Sequence, residues 1–178
     1  VAYRESGGDG PAVLLIHGNS SSSHTFSRQL DSDFGRTHRV VAIDLPGFGD
    51  SQPVGDPDAV MGLQGWAAIV REFMTALEIE DAVLVGWSLG GHIALEAIGD
   101  LPVSKGVAIY GTPPLAWPPD MGSTFLPNPA MAAAFLPTPS DAEMLAFADA
   151  LFAPGFRDIP DACYDDVRRA DGRARAAV

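Results

Sequence analysis

Five residues, Gly86-Trp87-Ser88-Leu89-Gly90, join an apolar run, Ala82-Val83-Leu84-Val85, to a helical pattern, Gly91-His92-Ile93-Ala94-Leu95-Glu96-Ala97-Ile98. A G-x-S-x-G placed between a strand and a helix fixes the backbone severely. The turn is so tight that side chains at Gly86 and Gly90 would meet neighbouring backbone, so both positions need glycine. The strain pushes Ser88 Oγ out at the strand end, with a helix N-terminus beneath it. A glycine-rich turn with an idle serine is the bland reading of the same residues; the strand-turn-helix context favours a nucleophile.

The first 112 residues repeat this alternation of strand and helix. Strands are predicted near 1–5, 12–16, 39–43, 82–86 and 106–110. After the first they are apolar runs without clean alternation, as expected when helices cover both faces of a parallel sheet. Leu63, Trp66, Val70, Phe73 and Leu77 recur at spacings of three and four, the stripe of an amphipathic helix from about 61 to 79. The stripe reads as core. The pattern is a doubly wound α/β sheet.

After Gly111-Thr112-Pro113-Pro114 the pattern changes. Prolines recur at 113, 114, 118, 119, 127, 129, 137, 139, 154 and 160. Short helices fit between them near 129–135, 140–152 and 159–169, the second opened by a Ser140/Glu143 capping box. No strand pattern returns. The chain therefore divides into 1–112, the N-terminal part of an α/β core, and 113–178, a helical segment.

Composition closes off several functions. A net charge of −12, with one lysine (Lys105) among 11 basic residues, gives no basic stripe, so nucleic acid is not expected as a partner. No run approaches the ~18 apolar residues of a membrane span. A single cysteine, Cys163, allows no internal disulfide and makes a reducing, cytoplasmic setting the default; it reads as a small half-buried apolar residue. No His/Cys cluster has metal spacing. Neither a metal nor a cofactor is expected.

Serine needs a base. The histidines are His17, His24, His38 and His92, and none follows His92. His17 is expected to order its loop through hydrogen bonds. His24 sits near the pocket mouth, His38 at the far end of a strand, and His92 one turn into a buried helix, pointing away from the substrate side. Each reads as structural or surface. Among carboxylates, Asp44 reads as turning the Asp44-Leu45-Pro46-Gly47-Phe48-Gly49 loop, and Asp120 is a weak candidate acid.

The segments His17-Gly18-Asn19, Asp44-Leu45-Pro46-Gly47-Phe48-Gly49-Asp50-Ser51 and Gly86-Trp87-Ser88-Leu89-Gly90-Gly91-His92 together resemble the α/β-hydrolase superfamily. Within it, His17-Gly18-Asn19-Ser20-Ser21-Ser22, the elbow through Ile93, Gly111-Thr112-Pro113-Pro114 and Arg169-Ala170-Asp171-Gly172-Arg173-Ala174-Arg175 look like the α/β-hydrolase-fold N-acyl-homoserine-lactone lactonases. General esterases and cofactor-free haloperoxidase-like hydrolases share most of these motifs. Serine at the elbow disfavours the epoxide hydrolases and haloalkane dehalogenases, which use aspartate there.

The resemblance implies a metal-free serine hydrolase acting on a small-molecule ester or lactone. Ser88 would be the nucleophile, the Asn19 and Leu89 amides the oxyanion hole, and Gly18, Gly86 and Gly90 the support of elbow and loop. It implies a sheet in the order 1–5, 39–43, 12–16, 82–86, 106–110, with the first strand antiparallel. It makes 113–178 a cap whose Leu115, Trp117, Met121, Phe125, Leu126, Met131 and Phe135 suit an acyl tail. In the family the acid and then the histidine follow the serine on further core strands; neither has a matching position here. The chain is thus expected to be an inactive fragment of a longer enzyme, the alternative being a non-catalytic α/β-hydrolase-like binding domain. Stopping after the strand at 106–110 leaves an unpaired edge, expected to self-associate.

Overall fold

The computed structural model describes residues 1–51, 56–100, 105–115, 124–125 and 127–177. Five strands form one sheet: β1 (Tyr3–Glu5), β2 (Ala12–Ile16), β3 (Arg39–Ile43), β4 (Val83–Trp87) and β5 (Gly106–Tyr110), in the order β1-β3-β2-β4-β5. β1 runs antiparallel to β3, with Tyr3 opposite Ile43; the other pairings are parallel. This is the expected order and direction. Leu14, Ile16, Val40, Val41 and Ile43 are fully buried because β2 and β3 are covered on both faces.

One face carries a 3₁₀ turn (Ser23–Phe26), α1 (Ser27–Leu30) and α2 (Asp33–Thr37), whose Phe26 and Leu30 pack with Val13, Leu15, Val40 and Ala42. The other carries α3 (Pro57–Val60), α4 (Leu63–Ala76) and α5 (Leu89–Ile98). The α4 stripe buries Trp66, Val70 and Phe73, while Leu63 lies outside it, 39% exposed. Trp66 has no exposed surface, and its indole Nε1–H donates to Pro46 O at 3.2 Å, so the one polar atom of the ring is satisfied.

Beyond β5 the described residues are helical: a 3₁₀ run (Pro129–Phe135), α6 (Asp141–Ala150), α7 (Asp161–Arg169) and α8 (Gly172–Ala176). The capping box is present. Glu143 N–H donates to Ser140 Oγ at 3.3 Å, and Ser140 N–H donates to Glu143 Oε2 at 2.7 Å; such a cap contributes about 1 kcal/mol. These elements bury their own cluster of Ala133, Ala134, Phe147, Ala148 and Val167, while Ala170 and Ala174 join the main core. Among the described residues, no helix is long and apolar enough to cross a membrane.

Candidate active site

The turn from β4 into α5 explains its two glycines by contact. A Cβ on Gly86 would lie 2.3 Å from Gly90 O, and one on Gly90 would lie 2.2 Å from Ile16 O. Neither backbone can yield without moving a strand. Between them Ser88 takes φ 53° and ψ −120°, a strained combination for a residue with a side chain. Its main chain is held from three sides: Ser88 N–H donates to Tyr110 O at 2.9 Å, and Ser88 O accepts from Gly91 N–H at 2.9 Å and from Thr112 Oγ1 at 3.0 Å. The β4–β5 ladder, the first turn of α5 and the loop after β5 over-determine the conformation.

A cavity of about 70 Å³ opens at Ser88, lined by Gly18, Asn19, Leu89 and, from the helical segment, Leu115, Phe125 and Phe135 among others. Asn19 and Leu89 therefore reach the same space as Ser88 from two different loops. Neither backbone amide has a hydrogen-bond acceptor among the described residues. Phe125 and Phe135 face each other across it with ring centroids 6.4 Å apart. Trp117, Met121, Leu126 and Asp120 lie outside the described residues.

His17 sets the approach of the Asn19 loop. It is fully buried; its Nε2 accepts from Leu45 N–H at 3.0 Å, so the proton sits on Nδ1, which donates to Gly18 O at 2.7 Å. Burial holds its pKa below the usual 6.5, keeping the ring in this neutral, two-ended role. Asp44 turns its loop as expected: Oδ1 accepts from Ser23 N–H at 2.6 Å and Oδ2 from Asp50 N–H at 2.9 Å.

His92 corrects the sequence reading. It lines the Ser88 cavity rather than pointing away from it, and partial burial lowers its pKa from 6.5. It makes no hydrogen bond to Ser88 among the described residues. His38 is tied to its own turn, Nδ1 lying 3.0 Å from Thr37 Oγ1. His24 faces a second, larger cavity of about 590 Å³, divided from the first by Trp87 and Leu151, which line both. His24 Nδ1 lies 3.4 Å from Asp166 Oδ1, and Ser22 Oγ donates to Asp166 Oδ2 at 2.5 Å. Burial pushes the Asp166 carboxyl up, with Ser22 and His24 opposing it. Burial and the nearby Asp166 and Asp149 push the Cys163 thiol up to about 11, so it stays a neutral packing group. Among the described residues, no group of three His, Cys, Asp or Glu is placed to hold a metal ion.

The serine-rich loop was legible only in part. Asn19 was singled out for its backbone amide, but its side chain does separate work: Nδ2 donates to Ala134 O at 2.6 Å and to Arg175 O at 3.2 Å. No local pattern signals those contacts, because the acceptors are main-chain carbonyls more than 100 residues away.

A strained serine turn at the end of a central parallel strand, entering a helix, marks a class of fold. The chain belongs to the alpha/beta hydrolase family, whose model matches residues 13–178. It is 42% identical over 87 residues to the human protein ABHD14A, covering 47% of this chain and 30% of that one. It is 36% identical over 101 residues to the magnesium-chelatase 30 kDa subunit of Rhodobacter capsulatus, covering 57% of this chain and 34% of that one. Among solved structures, the N-acyl homoserine lactonase AidH complexed with N-butanoyl homoserine superposes with a TM-score of 0.90 at 41% identity, over 99% of this chain and 63% of that one. The chain thus spans about a third of these curated relatives and under two thirds of the lactonase.

Proposed function

We propose that this protein is a serine hydrolase of carboxylic esters or lactones, with N-acyl-homoserine lactones the first substrates to test. The observation that carries the reading is Ser88 itself: a strained φ of 53° held from three sides at a cavity that Asn19 and Leu89 also line. Ser88 Oγ attacks the carbonyl carbon as its proton passes to a base; the ester or lactone C–O bond then breaks, the proton goes to the departing alkoxide oxygen, and water releases the acyl group from Ser88. The Leu89 and Asn19 amides, which have no other acceptor among the described residues, donate to the oxygen as it becomes an oxyanion. The two donors come from the start of α5 and from the loop after β2, so the fold fixes their separation before substrate arrives. Residues 113–178 act as a cap, with Leu115, Phe125, Met131 and Phe135 taking the acyl tail. The similarity to the lactonase supports the lactone over a simple ester.

The acid and the base that complete such a site are not supplied by the described histidines, whose partners lie elsewhere or which make no bond to Ser88. We therefore expect this 178-residue chain to turn over N-hexanoyl homoserine lactone negligibly. Losing the base of a serine triad costs about 10⁶ in turnover and leaves roughly 10³–10⁴ over water. The experiment is prolonged incubation with an alkyl fluorophosphonate, followed by peptide mass spectrometry. Label is expected on Ser88 and absent in Ser88→Ala. Label elsewhere and never on Ser88 defeats the nucleophile assignment and favours a domain that binds without turnover. Full lactonase activity of the chain by itself defeats the missing-base argument.

A further inference from the structure

The segment Arg169-Ala170-Asp171-Gly172-Arg173-Ala174-Arg175 plays no part in the chemistry above, yet it docks on the loops that carry it. Arg169 Nη2 donates to Asp50 Oδ1 at 2.6 Å and to Gly49 O at 3.1 Å, and Asp171 N–H donates to Gly47 O at 2.8 Å. Arg175 goes further in. It is 3% exposed, and its polar acceptors are neutral: Nε donates to Ser20 Oγ at 3.0 Å, and Nη2 to Val167 O at 2.6 Å and Ala170 O at 3.4 Å. A buried guanidinium with no carboxylate partner among the described residues is costly, and burial pulls it below its usual range.

The bonds around it close into a ring. From Arg175 Nε the ring runs to Ser20 Oγ. Ser20 Oγ donates to Asn19 Oδ1 at 3.2 Å, and Asn19 Nδ2 donates back to Arg175 O at 3.2 Å and to Ala134 O at 2.6 Å. Ser20 has φ 55°, a left-handed conformation that a serine enters only when held there. The ring consumes both ends of the Asn19 side-chain amide. The Asn19 backbone N–H is left without an acceptor among the described residues, in a residue that lines the Ser88 cavity.

We propose that Arg175 is a positioning residue for the oxyanion hole. Its guanidinium and its carbonyl clamp Asn19 and Ser20 so that the Asn19 amide faces Ser88. The helical segment thereby sets the anion site of the core, and the site is complete only while that segment is docked. This rests on the reading of Ser88 as nucleophile and Asn19 as donor.

Three variants of the 178-residue chain test it. Arg175→Met keeps the stem and removes every donor. Arg175→Lys keeps the charge but replaces the planar fork with a single point. Ser20→Gly takes φ 55° without strain and removes the hydroxyl, leaving Arg175 itself untouched should its replacement prevent folding. Two rates are read on each: hydrogen exchange of the Asn19 side-chain amide, whose Nδ2 donates to Ala134 O and Arg175 O, with the Ile93 backbone amide as reference for the core, and phosphonylation of Ser88 by the fluorophosphonate, whose phosphoryl oxygen takes the oxyanion's place. In Arg175→Met and Ser20→Gly, exchange of the Asn19 side-chain amide is expected to rise at least tenfold with Ile93 within twofold. Phosphonylation per folded molecule is expected to fall at least tenfold, toward the 10²–10³ seen when one oxyanion donor is removed. Arg175→Lys falls between. Looser exchange with wild-type phosphonylation makes Arg175 a mere anchor and overturns the proposal, as does no change in either rate. A wild-type chain phosphonylated elsewhere and never at Ser88 fails the nucleophile reading itself and takes the proposal with it; a wild type labelled at Ser88 with indifferent variants fails the proposal alone.

Discussion

Ser88 shows how much one residue can cost the fold that carries it. At φ 53° and ψ −120° a side chain is strained by roughly 1–3 kcal/mol. Glycine adopts such angles freely but loses about 0.5–1 kcal/mol in the unfolded chain's entropy. Ser88→Gly is therefore expected to raise the free energy of unfolding by about 1 kcal/mol while removing the hydroxyl proposed to take the phosphonate. Urea titration of both proteins checks it; a Ser88→Gly chain less stable than wild type would show that the hydroxyl, not the backbone, is what the site accommodates. The strain was legible in advance, since G-x-S-x-G between a strand and a helix admits little else. The orientation of His92 was not. Four residues past the serine, it returns to the cavity side because a helix repeats every 3.6 residues.

Elements were legible where hydrophobic period decides. All five strands fall within two residues of their expected limits, with the first strand shortened to Tyr3–Glu5, and the long helix under them, expected from about 61 to 79, runs Leu63–Ala76, two residues short at its start and three at its end. The pieces that escaped are short: the turns and helices between Ser23 and Thr37, and α8. They are held by caps and tertiary contact, as when Asp171 Oδ1 accepts from Arg173 N–H at 2.9 Å, and runs of four or five residues are too brief for a period to show. The element with the clearest liability is β5. It pairs with β4 alone among the described strands, and Val107, Ile109 and Tyr110 are 37%, 41% and 47% exposed. A flat apolar edge of that kind templates pairing with another copy. Sedimentation of this chain is expected to show association that rises with concentration, and Ile109→Lys is expected to suppress it. A wild-type chain that stays monomeric at high concentration would rule the edge out as an interface.

For the molecule as a whole, burial has set two titratable groups against each other across the loop–helix junction. His17 is held below 6.5 by burial, so the unfolded chain takes up a proton that the folded chain refuses. Its stabilising contribution is complete above pH 6.5 and is lost as the pH falls from there toward the folded value. Asp166 runs the other way. Burial raises it above 3.8, so the folded chain binds the proton first, and its contribution grows as the pH falls into the carboxylate range. Asp50, lowered by Arg169, loses its contribution only on further acidification, and it lies at the surface where solvent screens the pair. Between pH 7.5 and 5.5 the His17 and His92 protons together should decide the slope, both being held below 6.5 by burial, with His17 the more deeply buried. The unfolding free energy of the wild-type chain is expected to fall across that interval. His17→Gln still offers an acceptor toward Leu45 N–H and a donor toward Gly18 O, so it should fold with a lower and shallower profile, the slope that remains belonging to His92. Asp166→Asn removes a buried charge and should keep the wild-type slope while gaining stability at pH 7.5. A His17→Gln profile as steep as wild type would move the acid sensitivity away from the loop that presents Asn19, and with it the view that a neutral His17 holds that loop in place.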